Sequence, residues 1–74
     1  MEPAEGLDIR EYLEGIYGDY LEVAFRESLR SSNPLRKFIR LLARRKPMDY
    51  FTLRMAAAYF ELRRNGSTRA LVLN

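Results

Sequence analysis

The residues of this chain that could do chemistry are mainly basic, and they are concentrated in one segment. Seven arginines and lysines, and no acid, fall within the seventeen positions from Arg30 to Lys46. Guanidinium groups bind phosphate oxygens through bidentate, charge-assisted hydrogen bonds. The segment therefore predicts contact with the phosphate backbone of a nucleic acid. The predicted contact residues are Arg30, Arg36, Lys37, Arg40, Arg44, Arg45 and Lys46.

The charge of the whole chain is split by position. Residues 1–27 carry eight acids and two bases, a net charge of −6, whereas residues 28–74 carry eleven bases and two acids, a net charge of +9. Such a split predicts an electrostatic partner, which is a nucleic acid, an acidic protein or the N-terminal half of the chain itself. The competing interpretation is that the basic segment is a solvated helix face or is paired with the acidic helices.

The residue types present in the chain argue against catalysis. Histidine and cysteine are absent, and the four glycines are scattered, so neither a nucleophile–base pair nor a phosphate-binding glycine loop is visible. The acids fall at helix-capping positions or in ordinary side-chain pairs rather than in a cluster that could hold a metal. We therefore expect no enzyme activity, no cofactor, no metal site and no small-molecule substrate.

Length and composition are typical of one small globular domain. A chain of 74 residues with 47% apolar residues can fold, although a domain of this size buries only about 60% of its unfolded surface. We expect no membrane span and, because residues 1–5 are acidic where a secretory signal would be basic, a cytoplasmic location. The eleven arginines against two lysines, together with the absence of glutamine, suggest a thermophilic source as a hypothesis.

Capping residues and apolar spacing predict an all-α fold. We expect a flexible arm over 1–7 and a single helical domain over 8–74, with four short helices at about 8–17, 19–30, 34–45 and 50–65 and an extended or β segment at 68–73. Asp8 with Glu11, and Asp19 with Glu22, match the capping box. Asn33 followed by a proline is a helix start, because proline at the first helical position loses no hydrogen bond.

The two C-terminal helices carry the predicted surfaces. In helix three the basic residues Arg36, Lys37, Arg40 and Arg44 lie opposite an apolar stripe. Helix four carries two apolar stripes on roughly opposite sides, so we expect a homodimer or another protein to cover one of them. The predicted interface comprises Leu53, Ala56, Ala57 and Phe60, with Leu71 and Leu73 from the extended segment.

Aromatic residues recur at helical spacing. We assign six of them to the core, namely Tyr12, Phe25, Phe38, Phe51, Tyr59 and Phe60. Tyr17, Tyr20 and Tyr50 are candidates for an interface, because tyrosine tolerates half-burial.

Residues 59–66, Tyr-Phe-Glu-Leu-Arg-Arg-Asn-Gly, form the one motif that resembles a known family. They are similar to the helix end Tyr-x-Asp/Glu-Leu-Arg-x-x-Gly in the N-terminal domain of archaeal tRNA-splicing endonucleases. The catalytic domain of that family uses a histidine, which this sequence lacks, so the resemblance implies no activity.

Two functional hypotheses follow from the sequence. The first is a small non-catalytic accessory protein that binds nucleic acid and oligomerises through helix four. Helices three and four have the outline of a helix-turn-helix, but the polar ridge of helix four is too narrow to read bases, so we expect contacts mainly to phosphates. The second hypothesis is a protein–protein adaptor or structural subunit without nucleic-acid contact.

Overall fold

The computed structural model describes the backbone of residues 7–66 and 72–73 and the side chains of residues 8–66. Over these residues the chain forms four helices, which confirms the prediction of a small all-α domain. They are α1 (Ile9–Tyr17), α2 (Tyr20–Ser28), α3 (Pro34–Arg45) and α4 (Tyr50–Arg64). The backbone also forms two short strands, β1 (Leu7–Asp8) and β2 (Val72–Leu73), which pair antiparallel. The remainder of the predicted arm and of the segment 68–73 lies outside the described residues.

Local chemistry sets most of the helix boundaries. The side chains of Asp8, Asn33 and Asp49 each accept a hydrogen bond from a backbone N–H in the first turn of the helix that follows. Gly18 separates α1 from α2 with a φ of +59°, and Gly66 follows α4 with a φ of +76°. L-residues rarely adopt these angles, so glycine is the residue that ends both helices at these points.

The prediction of a second capping box was wrong. Asp19 has helical backbone angles, φ −65° and ψ −16°, and its side chain makes no capping hydrogen bond. Glu22 instead pairs with Arg26, as expected for an i,i+4 pair, and reaches across to Arg63 of α4. The second helix also ends at Ser28, two residues before its predicted end.

The four helices enclose an aromatic core. α2 packs against α3, and α4 packs against both α1 and α3. The rings of Phe25, Phe38, Tyr59 and Phe60 meet at the centre, where the ring centroids of Phe38 and Phe60 are 5.2 Å apart. Each of these four residues was predicted to lie in the core, and each is buried. Together they connect α2, α3 and α4.

One aromatic assignment, Phe51, requires correction, and Tyr12 packs at the edge of the core. Phe51 is 49% exposed, although its ring makes an edge-to-face contact with Tyr12 at a centroid distance of 5.5 Å. Tyr12 is half-buried and its hydroxyl hydrogen-bonds to that of Thr52 at 2.9 Å. The core-facing side of α4 therefore includes the polar residue Thr52 and excludes Phe51, which apolar periodicity alone does not predict.

A salt bridge joins α2 to α4. The Arg63 guanidinium donates to both carboxylate oxygens of Glu22, at 2.6 and 2.9 Å, and to the Tyr59 hydroxyl at 2.9 Å. Its carbon Cζ also lies 4.1 Å from the centroid of the Phe25 ring. The hydrogen bonds from Arg63 lower the pKa of Glu22 from 4.5 to about 2. The folded pKa is depressed, so the bridge stabilises the fold above pH 4.5, and this contribution is lost as the pH falls towards about 2.

Replacing Arg63 with methionine should lower the free energy of unfolding by about 2 kcal/mol. Roughly 1 kcal/mol comes from the salt bridge, which water screens because the Glu22 side chain is 42% exposed, and about 1 kcal/mol from the cation–π contact. Urea unfolding followed by circular dichroism would measure the loss. The control is Arg26→Met, which removes a more exposed partner of the same carboxylate and should cost about 0.5 kcal/mol or less. Equal losses in the two variants would contradict the bridging role of Arg63.

Candidate nucleic-acid interface

The predicted basic residues of α3 form one continuous surface, called here the basic face. It consists of Arg36, Lys37, Arg40 and Arg44, which fall within an arc of about 100° at 3.6 residues per turn. Arg36, Arg40 and Arg44 are exposed and Lys37 is half-buried. Because α3 rises about 1.5 Å per residue, the face extends for about 12 Å along the helix. It therefore offers cations at successive turns to an extended anion.

The opposite side of α3 fixes the helix to the domain. Phe38 and Leu42 are fully buried, and Leu35 and Ile39 pack around them against the core. Phe25 of α2 contacts Phe38 on this apolar side, and the arginines of the basic face are exposed, so the acidic helices do not cover that face. Among the described residues, the ion pairs of α2 and α4 converge on Glu22, and no acid forms an ion pair with the basic face. In this arrangement the basic face is open to solvent and is not paired with the acids of the described residues.

The N-terminal part of the basic face borders an open depression of about 260 Å³. Its walls are lined by the loop residues Ser31, Ser32 and Asn33 and by Arg36, Lys37 and Arg40. The Ser31 hydroxyl accepts from the backbone N–H of Asn33, and the Asn33 side chain caps α3, so these hydrogen bonds fix the loop against the helix. The depression brings three cationic side chains and two hydroxyl groups to one place, which is a donor set that suits phosphate oxygens.

The other three predicted contact residues lie apart from the basic face. Arg30 is exposed in the turn that follows α2. The Arg45 guanidinium stacks over the ring of Tyr20, with Cζ 4.3 Å from the ring centroid, so Arg45 is directed towards α2. Lys46 is exposed at the end of α3, where its backbone carbonyl accepts from the Tyr17 hydroxyl at 3.1 Å. Arg30 and Lys46 are therefore exposed before and after α3, whereas Arg45 is turned away from the basic face.

The predicted protein interface on α4 is only partly available. Ala56 and Phe60 are fully buried in the core of their own domain, so their assignment to an interface is corrected. Ala57 is half-buried and Leu53 is 38% exposed on the outer side of the helix. Leu71 lies outside the described residues, and Leu73 is described only as backbone paired with Leu7.

The first turn of α4 presents exposed side chains; Tyr50 and Leu53 were predicted as interface residues, whereas the exposure of Phe51 was missed. Tyr50 is 71% exposed, and the side chain of Arg54 donates to its hydroxyl at 3.3 Å. With Phe51 and Leu53, which are also exposed, they give the start of α4 a mixed aromatic and cationic character. The i,i+4 spacing of Tyr50 and Arg54 predicts that both side chains lie on the polar ridge, but no local signal separates Phe51 from the apolar stripe.

Comparison with known proteins gives no family. Protein-family models, curated proteins and solved structures yield no match to this chain. The structure adds two findings on the described residues: none of their helices is long and apolar enough to cross a bilayer, and they hold no group of three acids, cysteines or histidines placed to bind a metal. Functional inference therefore depends on the basic face and its surroundings.

Proposed function

We propose that the protein is a small, non-catalytic accessory protein that binds the phosphate backbone of a nucleic acid through the basic face of α3. The observation that supports this most is the exposure of Arg36, Arg40 and Arg44 on one side of a helix that the acidic part of the domain does not cover. Phosphate contacts carry no sequence information, so binding is only weakly sequence-selective. The absence of histidine and cysteine from the sequence supports a non-catalytic role.

Wild-type protein should bind a labelled oligonucleotide with an affinity that depends steeply on salt. Each neutralised phosphate contributes a slope of about −0.7 on a single strand and −0.9 on a duplex when log affinity is plotted against log salt. Four contacts predict a slope of about −3, so affinity should fall roughly fiftyfold between about 50 and 200 mM salt. Fluorescence anisotropy would measure it. Absence of binding at about 50 mM salt would remove the proposal.

The second candidate function is a protein–protein adaptor or structural subunit. The observation that favours it is the exposure of Tyr50, Phe51 and Leu53 in the first turn of α4, since large apolar side chains at a surface are typical of protein interfaces. In this case the basic face is solvated and α4 docks through its outer side. The salt titration separates the two functions, because an adaptor without nucleic-acid contact gives no binding at low salt.

A further inference from the structure

The exposed rings of Tyr50 and Phe51, called here the aromatic end, contrast with the other aromatic residues of the domain. Phe25, Phe38 and Tyr59 are 7% exposed or less, whereas Tyr50 is 71% and Phe51 is 49% exposed. Tyr50 and Phe51 are adjacent at the start of α4 and project about 100° apart around the helix axis. The fold therefore presents two ring surfaces to solvent at one end of the domain.

The aromatic end follows the C-terminal end of the basic face along the chain. Residues 46–49 form the whole connection between α3 and α4, so α4 begins six residues after Arg44, the last member of the basic face. The hydrogen bond from the Tyr17 hydroxyl to the carbonyl of Lys46 holds this connection against α1. The five residue steps from Arg45 to Tyr50 span at most about 18 Å, so an extended ligand that leaves the C-terminal end of α3 can reach the aromatic end.

Basic residues flank the exposed rings in the sequence, and one of them lies beside Tyr50. Four of the eleven residues from 44 to 54 are basic and one is acidic. The acid, Asp49, is engaged in capping α4, because its carboxylate accepts from the backbone N–H of Thr52 at 2.7 Å. Arg54 lies beside Tyr50, with its Cζ 5.7 Å from the ring centroid. Positive charge interleaved with exposed rings suits a ligand that is both anionic and aromatic, more than an apolar protein surface.

Unpaired nucleic acid has this combination of properties. Its phosphates are anionic, and its bases have free faces that stack on aromatic side chains whatever the sequence. In a duplex those faces are stacked on neighbouring base pairs, so no free base face is left to stack on the exposed rings. We propose that the nucleic acid bound by the basic face is single-stranded, with bases stacked on the aromatic end; this inference rests on the proposed function. Arg44, Lys46 and Arg54 hold the flanking phosphates, and contacts to base rings and phosphates accept both DNA and RNA.

The test compares single strands with duplex on the full chain. Labelled oligo(dT), oligo(rU) and a duplex, each of about twelve nucleotides, are titrated at about 50 mM salt. We expect both single strands to bind about tenfold more tightly than the duplex. Tyr50→Ala should weaken single-strand binding by about fivefold to a hundredfold and leave duplex binding unchanged. Tyr50→Phe, which keeps the ring and loses only the hydroxyl bonded to Arg54, should bind as the wild type does.

The outcomes test the single-strand inference and the proposed function separately. Equal affinity for single strands and duplex, with no effect of Tyr50→Ala, overturns the single-strand inference but leaves phosphate binding by the basic face intact. No binding to any of the three probes overturns the proposed function as well. If Tyr50→Ala changes the molecular mass in sedimentation equilibrium but not the oligonucleotide affinity, the aromatic end is a protein interface. Because Tyr50 is mostly exposed, thermal unfolding of Tyr50→Ala should match that of the wild type.

Discussion

Exchanging Arg36 and Arg40 for glutamate should weaken oligonucleotide binding by about a hundredfold or more at about 50 mM salt. The double variant removes two of the four cations of the basic face and places two carboxylates against the phosphates. On a single strand the salt slope should fall from about −3 to about −1.5, because each lost contact removes about 0.7. Fluorescence anisotropy across a salt series measures both the affinity and the slope.

The fold should tolerate this double variant. Both side chains are exposed, and neither forms an ion pair with another of the described residues. Arg36 is three residues after the N-cap Asn33, and glutamate at that position interacts favourably with the helix dipole and completes a capping pattern. Unfolding of α3 is therefore excluded as the cause of a loss of binding if the circular dichroism spectrum and the melting temperature are retained.

A matched pair of single variants tests whether binding depends on the basic face or only on the net charge of the chain. Arg40→Glu and Arg10→Glu change the charge of the chain equally, and both residues are exposed, but Arg10 lies on α1 among the acids. Arg40→Glu should lower the affinity about tenfold, whereas Arg10→Glu should lower it by about twofold or less, since exposed charges beyond about 10 Å are largely screened. Equal losses would show that binding depends on net charge and not on the basic face.

Sequence reasoning located the helices well because their ends are encoded locally. Asp8, Asn33 and Asp49 cap helices through backbone N–H groups only three residues away, and Gly18 and Gly66 adopt positive φ angles at the breaks. Asp19 shows that a local capping pattern can fail to predict the structure. It has the residue type and spacing of a capping box, yet Glu22, its predicted partner, is recruited by Arg63, which lies 41 residues further along the chain.

The orientation of α4 could not be predicted in the same way. Two apolar stripes made both sides plausible, and the choice between them depends on what α1, α2 and α3 present to the helix. Thr52 is buried because its hydroxyl finds that of Tyr12, 40 residues earlier, while Phe51 one position before it is left half-exposed. The buried arc of α4 therefore includes Phe60, which had been assigned both to the core and to an interface, and leaves out Phe51, which had been assigned to the core.

In the candidate site too, some features follow from the local sequence and others depend on tertiary packing. The spacing of Arg36, Arg40 and Arg44 placed them on one helix face, and the structure has them so. Whether that face is open depends on how α2 packs, which no local pattern encodes. Arg45 was expected to extend the face, but a neighbouring ring, Tyr20, draws its guanidinium towards α2. The charge pattern therefore identified the surface, and packing determined which of its members are available.

Replacing Phe38 with alanine should be the most destabilising single change in the domain, at a cost of about 3 to 5 kcal/mol in the free energy of unfolding. The side chain is fully buried, and its ring lies 5.2 Å from that of Phe60, 6.0 Å from that of Tyr59 and 6.2 Å from that of Phe25. Truncation leaves a cavity where three helices meet, and the surrounding rings can collapse into it only partly. Urea unfolding followed at 222 nm would measure the loss.

Phe51→Ala is the matched control, because the same atoms are removed from a half-exposed ring, and it should cost about 1 kcal/mol. Similar losses in the two variants would contradict a core centred on Phe38.

The same two variants also test whether binding requires the folded domain. A domain of this size has a free energy of unfolding near the low end of about 5 to 15 kcal/mol, so Phe38→Ala removes a large part of it. Phe38→Ala keeps every basic residue but removes much of the energy that holds α3 in place. If the basic face acts as a folded surface, this variant should lose oligonucleotide affinity as temperature approaches its lowered midpoint, at temperatures where the Phe51→Ala domain remains folded.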